Sequence, residues 1–370
     1  MIYVYQPDLS GREREYLLDA FDSSWISSKG EYVDRFAKNF ESYTGIKHAT
    51  VVSNGTVALH LALHCLGLAP GDEVIVPSFT YIASVNTIVQ TGAVPVFADS
   101  NAHDWLLDVG HVESLITDRT RAIMAVHLYG AICDMDSLCA LAERYGLKII
   151  EDCAEALGST YRGRHVGSFG AVGTFSFFGN KTVTTGEGGM VTTNDAALAE
   201  RLTIVKGQGQ DPSRRYWHSE LGFNYRMTNL AASIGVAQLE RIDSILARKR
   251  EIGCRYRVNL VNSGVRFQDV PDHVVSSDWL VSLLVPDGVD REVMMAEMEG
   301  SGIETRPVFY CAHQMPPHFR ADLSLPVAQD IAQRGISLPS YPGLDDDQVD
   351  FICDAMMNIL QKAKRRSVAA

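Results

Sequence analysis

The stretch HATVVSNGTVALHLALHCLGL, His48–Leu68, changes its period midway. HATVVS is short, apolar and β-branched, as a strand buried on both faces must be. After the small polar turn around Gly55, VALHLALHCLGL repeats its apolar positions at helical spacing. A strand running through a tight turn into a helix is the opening half of a βα unit. The alternation recurs further along the chain. EVIVPS (73–78) reads as a strand and YIASVNTIVQTG as a helix. VPVFADS (94–100) and RAIMAVHL (121–128) are strands, MDSLCALAERYG is a helix, and LKIIEDC (147–153) closes the series. Apolar strands alternating with helices predict an α/β fold with a mostly parallel central sheet flanked by helices.

VGTFSFF (172–178) and GMVTTN (189–194) add two strands, and Ala196–Val205 reads as a helix. Residues 207–227 have no periodicity and are rich in Gly and aromatics. A loop of that length inside a compact domain is usually functional. Residues 229–261 read as one long helix leading into a part that mixes a strand (WLVSLLV, 279–285) with helices over 290–302 and 346–366. The expected organisation is a large domain, 1–245, and a smaller α+β domain, 246–370, ending in a frayed SVAA tail.

Composition narrows the function classes. Hydrophobic residues are 46% and charged residues 21%, ordinary for a globular protein. The formal net charge of −12 disfavours a general nucleic-acid surface. No apolar run is long enough for a membrane span, and the opening residues lack the pattern of a signal peptide, so a cytoplasmic location is expected. The seven cysteines are scattered without a Cys-x-x-Cys pair, which predicts neither a disulfide framework nor a metal site.

SFFGNKTVTTGEGGM, Ser176–Met190, sets one lysine among glycines and threonines. A nucleotide phosphate loop needs G-x-x-x-x-G-K-[ST] between a strand and a helix. Here five residues part Gly173 from Gly179, Asn180 intervenes before Lys181, and a turn and strand follow. That reading fails. Two others stand on local sequence: a surface-turn lysine, or a partly buried amine made nucleophilic by desolvation. Asp152 lies at the carboxyl end of a predicted parallel strand, the edge where open α/β sheets bind ligands. It suits a helix cap or the carboxylate that pairs with a protonated pyridine nitrogen. Gly55 and Thr56 form either a plain N-cap or a phosphate cradle at a helix N-terminus. Tyr81 is either core or an aromatic plate. For an anionic ligand the candidate cations are Arg214, Arg215 and Arg226, with Arg306 a weaker one, and Tyr216 and Trp217 are candidates to stack on a base.

Taken in order, these motifs resemble the nucleotide-sugar aminotransferases of the DegT/DnrJ/EryC1/StrS type, which are pyridoxal 5'-phosphate (PLP) enzymes of fold type I. SNGTVAL matches the cofactor-phosphate turn, implying Gly55 and Thr56 as phosphate ligands. PSFTY matches the ring-stacking segment with Tyr81, and IEDCAEALGS puts Asp152 on the ring nitrogen. TFSFFGNKTVTTGEGGM implies Ser176 at the phosphate and Lys181 as the Schiff-base lysine. GFNYRMTNLAA implies that Asn224 reaches the cofactor of a second subunit in a homodimer with a shared active site. The resemblance further implies L-glutamate as amino donor, pyridoxamine phosphate as the alternate cofactor form, and a nucleotide-diphosphate ketosugar as acceptor. Two segments, FSFFGNKT and KGQGQDPSRRYWHSELGFNYRMTNL, are most similar to members that aminate C4 of GDP-4-keto-6-deoxymannose for surface polysaccharide or glycoside synthesis.

Relatives that dehydrate the sugar at C3 carry histidine in place of the lysine, so Lys181 implies amination. Dehydration, a 3-amination of another ketosugar, and a cofactor-binding regulator without turnover are the alternatives. Glu155 stands where many members carry Gln or His beside the cofactor hydroxyl. His313 falls near the expected substrate wall. The resemblance assigns nothing to Cys311 or His318.

Overall fold

A computed structural model describes residues 1–369, with side-chain surroundings as far as residue 363. Two helices, α1 (Glu13–Asp22) and α2 (Glu31–Thr44), precede the first strand. Strands and helices then alternate as β1 (His48–Val52), α3 (Gly55–Cys65), β2 (Glu73–Pro77), α4 (Ala83–Gln90), β3 (Val94–Ala98), α5 (Val109–Ser114), β4 (Thr120–Val126), α6 (Met135–Tyr145) and β5 (Lys148–Asp152). A hairpin, β6 (Thr160–Tyr161) and β7 (Arg164–His165), leads to β8 (Val172–Ser176), β9 (Gly189–Thr193) and α7 (Ala196–Lys206).

The main sheet has the order β1-β9-β8-β5-β4-β2-β3. Pairing is parallel from β3 through β8, while β9 pairs antiparallel with both β8 and β1. Only β9 therefore runs against the rest. The fully buried pattern of β2 and β9, and the apolar Ile149-Ile150 of β5, follow from helices on both faces.

The helix read over 229–261 divides into α8 (Asn229–Leu239) and α9 (Ile242–Asn259). At the break Gln238 and Arg241 turn toward the segment before α1. Gln238 Nε2 donates to Glu13 Oε1 at 2.7 Å, and Arg241 Nη2 meets Asp8 Oδ2 at 2.7 Å. Residues 207–227 carry no regular element, but bridges Gly207–Asn224 and Gln210–His218 fold them back on themselves.

After α9 come β10 (Arg266–Phe267), β11 (Val274–Val275), β12 (Val281–Leu284), α10 (Arg291–Gly300), β13 (Arg306–Pro307), α11 (Pro326–Arg334), β14 (Gly335–Leu338) and α12 (Asp346–Ala369). Of the tail read as frayed, Ser367–Ala369 continue α12, and Ala370 lies outside the described residues. A four-stranded antiparallel sheet, β10-β12-β14-β13, packs with α9, α10 and α12 around a second core that includes Ile252, Tyr256, Leu283, Met298 and Ile352. The two cores interlock. Val308, Cys311, Leu325 and Ile331 return to the first, and Ile2 bridges in parallel to Ile303. Among the described residues no helix is long and apolar enough to cross a membrane.

Lys249 of α9 is fully buried, and its Nζ donates to the Ser340 carbonyl at 2.7 Å. Burial pushes its pKa down to about 7, against a weak upward pull from Asp278. A neutral amine keeps the hydrogen bond without the desolvation penalty of a buried charge. Below about pH 7 folded and unfolded chains both carry this proton. Above it the folded lysine is neutral while the unfolded one stays charged up to about 10.5, so stability rises with pH across that window. Lys249→Met should remove this contribution. Urea midpoints measured from pH 6.5 to 9.5 should climb less steeply for the variant than for the unmodified chain.

Candidate active site

The carboxyl ends of β5 and β8 and the amino ends of α3 and α4 surround a cavity of about 480 Å³. That volume suits a small-molecule ligand. At one end Asn54 caps α3, its side chain accepting from Val57 N at 2.9 Å. Gly55 and Thr56 open the helix, so their free N–H groups and the helix dipole favour an anion there. Ser176, the last residue of β8, closes the other side. A Cβ on Gly55 would stand 2.7 Å from Ser176 Cβ, so a side chain here would push the start of α3 away from the end of β8. Gly189 at the start of β9 is equally constrained, since its Cβ would lie 2.4 Å from the Asn54 carbonyl oxygen.

Asp152 ends β5 on the cavity floor. Ser84 Oγ donates to its Oδ2 at 2.7 Å, and Ala154 N to its Oδ1 at 3.1 Å. Both donors are neutral, so the buried carboxylate still wants a cationic partner from the cavity. Tyr81, 57% exposed, offers a ring at the entrance and tilts against Phe309 at 5.7 Å. Behind it Phe309, Tyr129 and Trp279 stack at 5.6 and 6.2 Å.

Lys181 sits in the β8–β9 connection with its side chain directed inward. Its Nζ lies 3.8 Å from Glu155 Oε1 and 4.0 Å from the centroid of the Trp279 ring. Burial lowers its pKa more than Glu155 and Asp152 raise it. Burial likewise pushes Glu155 up to about 7, opposed by Lys181 and by the Tyr129 N–H, which donates to Oε2 at 3.0 Å. Each group is thus held closer to neutrality than in water, the electrostatic setting of a reactive amine. Of the two local readings of Lys181, the structure supports the buried one.

The pocket fits the PLP implied by the sequence. It offers an anion cradle that a single Cβ would fill, a carboxylate for a ring nitrogen, a ring for stacking and an inward amine. Asn180 Oδ1 adds a buried acceptor with no protein partner among the described residues.

Gly55, Thr56, Tyr81, Asp152, Glu155, Ser176 and Lys181 all line this cavity. Asn224 does not. It lies in the 207–227 loop, its Oδ1 accepting from Arg226 Nε at 3.2 Å. Arg215 and Arg226 share a separate depression of about 290 Å³. Arg214 covers Trp217 at 4.1 Å and Arg215 covers Tyr216 at 4.8 Å, all on the surface. Arg306 pairs with Glu304 at 3.2 Å.

The expectation that His313 faces substrate is corrected. It is 1% exposed, and its Nδ1 lies 2.6 Å from Ser78 Oγ. Its Nε2 lies 3.4 Å from Gln329 Nε2, so it is a core histidine outside the cavity lining. Cys311 is buried beside Phe79, and His318 Nε2 lies 2.7 Å from Asn86 Oδ1. A buried cluster of His127, Glu151 and Cys153 flanks Asp152, and His127 reaches the cavity lining. Glu151 is occupied by the N–H groups of Gly167, Phe169 and Gly170 at 2.7–2.8 Å, and His127 Nδ1 accepts from Cys133 N, which makes this cluster a structural brace.

Sequence reasoning missed Ser84, Tyr129, Trp279 and Phe309. Trp279 opened a segment read as a strand, and an indole before a strand carries no local sign of a lysine 98 positions earlier.

The family model described as the DegT/DnrJ/EryC1/StrS aminotransferase family matches residues 7–357. The chain is 51% identical to the GDP-perosamine synthase of Escherichia coli O157:H7, over 96% of this chain and 97% of the relative. It is 49% identical to the GDP-perosamine synthase of Vibrio cholerae, over 97% and 99%. Its fold superposes on an aminotransferase, TlmJ, from Streptoalloteichus hindustanus with a TM-score of 0.93 and 30% identity, covering 98% of this chain and all of that one.

Gly55→Ala should lose the anion cradle while keeping the fold. The expected result is PLP binding weakened about tenfold or more, read from an absorbance titration, with an unchanged far-UV spectrum.

Proposed function

We propose that this chain, which belongs to the DegT/DnrJ/EryC1/StrS aminotransferase family, moves an amino group from L-glutamate to the C4 ketone of GDP-4-keto-6-deoxymannose, yielding GDP-perosamine for surface polysaccharide in the cytoplasm. The observation that carries the chemistry is the Lys181 amine, directed into a cavity whose floor is Asp152 and whose far end is the Gly55–Ser176 cradle. The sugar is argued from the two relatives about 50% identical over nearly the whole chain.

PLP, when bound, supplies the carbonyl that takes up amines and the ring that accepts an electron pair. Gly55, Thr56 and Ser176 would hold its phosphate. Asp152, itself fixed by Ser84 and Ala154, would keep a proton on the ring nitrogen. Tyr81 would cover the ring face. Lys181 Nζ would anchor the cofactor and, once released, take the proton from Cα of the donor as a general base. Its lowered pKa favours the neutral amine that this requires. Glu155, 3.8 Å from Nζ, stabilises the charged form of the amine whenever Nζ carries a proton. Phe309 and Trp279, with Tyr129 stacked between them, give the cavity an apolar wall beside Nζ.

Asn224, Arg214, Arg215 and Arg226 lie outside their own chain's cavity. We assign them to the cavity of a second copy, Asn224 at the phosphate and the arginines at the substrate diphosphate, in a homodimer. Trp25, Ile26, Phe178, Tyr216, Trp217 and Leu221 are exposed apolar residues of the kind that a subunit interface covers.

Three outcomes test this reading. Lys181→Ala should show no PLP-lysine absorbance band and release no 2-oxoglutarate from glutamate; full turnover in that variant would end the assignment. Mass spectrometry of products from a panel of nucleotide 4-ketosugars should show amination of the GDP-linked sugar, whereas loss of water at C3 would indicate the dehydratase reading. Mixed dimers of Lys181→Ala and Asn224→Ala chains should recover activity that neither variant shows alone.

A further inference from the structure

Lys181 is gripped from two distant parts of the chain. Tyr5 Oη donates to the Lys181 carbonyl oxygen at 2.5 Å, and Trp279 Nε1 donates to the Asn180 carbonyl oxygen at 2.7 Å. These carbonyls belong to the two peptide planes that meet at the Lys181 Cα, so both backbone torsions of that residue are fixed. The face of the same indole receives Nζ at 4.0 Å, where a cationic amine is attracted to the ring. The residues that follow are anchored separately: Val183 is fully buried, and Thr185 N donates to Phe177 O at 2.9 Å and Thr184 N to Gln238 Oε1 at 3.4 Å. The Lys181 N–H adds a bond to Phe178 O at 2.9 Å, while a side chain at Gly179 or Gly186 would meet nothing and Phe178 is exposed.

Both grips are themselves secured. Trp279 is 3% exposed and stacks on Tyr129 at 6.2 Å. Tyr5 follows Val4, whose N–H donates to Glu304 Oε2 at 3.0 Å and whose carbonyl accepts from Ser340 N at 3.2 Å. Lys249 Nζ lies 5.3 Å from the centroid of the Tyr5 ring.

We propose that Tyr5 and Trp279 are positioning residues for Lys181, a two-sided clamp on its backbone that confines the motion of the amine to its own side-chain torsions. The inference rests on the reading of Lys181 as the reacting amine, which must both bond and let go within one site. Small displacements of a reacting group are costly in rate, so a backbone pinned on both sides serves that alternation.

The test uses the full chain without added cofactor. Tyr5→Phe and Trp279→Phe each delete one donor and keep a ring. Hydrogen exchange of residues 178–186 should quicken about fivefold in each, and by about the product in the double variant, as expected for a lost hydrogen bond in a locally opening segment. Tyr16→Phe is the control. It removes a hydroxyl that donates to Glu240 at 2.9 Å and should leave the 178–186 segment unchanged. In the PLP-loaded enzyme the two clamp variants should lower kcat with the KM for glutamate unchanged. Unchanged exchange in both variants, or equal acceleration across the whole chain, would overturn the clamp. A missing PLP absorbance band in the unmodified chain would overturn the reading of Lys181 and leave the clamp supported by exchange.

Discussion

A lysine that works as a nucleophile has to be buried enough to lose its proton and guarded enough not to be lost in apolar surroundings. With Lys181 in the role proposed for it, that constraint organises this molecule. Burial lowers the amine's affinity for a proton, and Glu155 at 3.8 Å pulls the other way. The indole of Trp279 gives the amine a face that accepts it in its charged form. None of these partners is local to the lysine. Asp152 ends β5 and Glu155 follows it, Trp279 precedes β12, and Tyr5 precedes α1. The site exists only because the interlocked cores bring these segments to one edge of the main sheet.

The sheet topology explains why that edge is chosen. With β8 and β5 parallel and adjacent, Ser176 and Asp152 leave the sheet on the same side. The reversal of β9 makes the β8–β9 connection a return loop at that side, and Lys181 rides on it. Gly55 and Gly189 allow the α3 turn to press against the ends of β8 and β9 at distances no side chain would tolerate. The cradle proposed for the cofactor phosphate is thus a consequence of close backbone approach as much as of donor groups.

Much of this was legible in the sequence, because strand-turn-helix units announce themselves by period. The βα series, the strand ending at Asp152 and the polar turn at Gly55 are local patterns, and the structure has them where the pattern puts them. The reach of the reading ended where tertiary contacts take over. One continuous helix was expected through Leu239 and Ile242, and the break depends on Asp8 and Glu13, more than two hundred residues away. His313 was expected at the substrate wall from the family resemblance, but Ser78 and Gln329 absorb both of its ring nitrogens in the core. Trp279 gave no sign at all, since the partner that gives it meaning is brought near only by folding.

The bridge between Ile2 and Ile303 bears on the order in which the protein can assemble. Ile2 N donates to the Gly302 carbonyl and Glu304 N donates to the Ile2 carbonyl, so Ile2 waits during synthesis for a partner some three hundred residues later. Contacts of such separation carry a large loop-closure cost and form late. The β/α series can condense while the chain is still growing, yet the Lys181 loop then lacks both of its outside supports. A nascent or truncated chain would therefore present a nearly complete sheet with an unfinished centre, and competence to capture a cofactor would be among the last properties the molecule acquires.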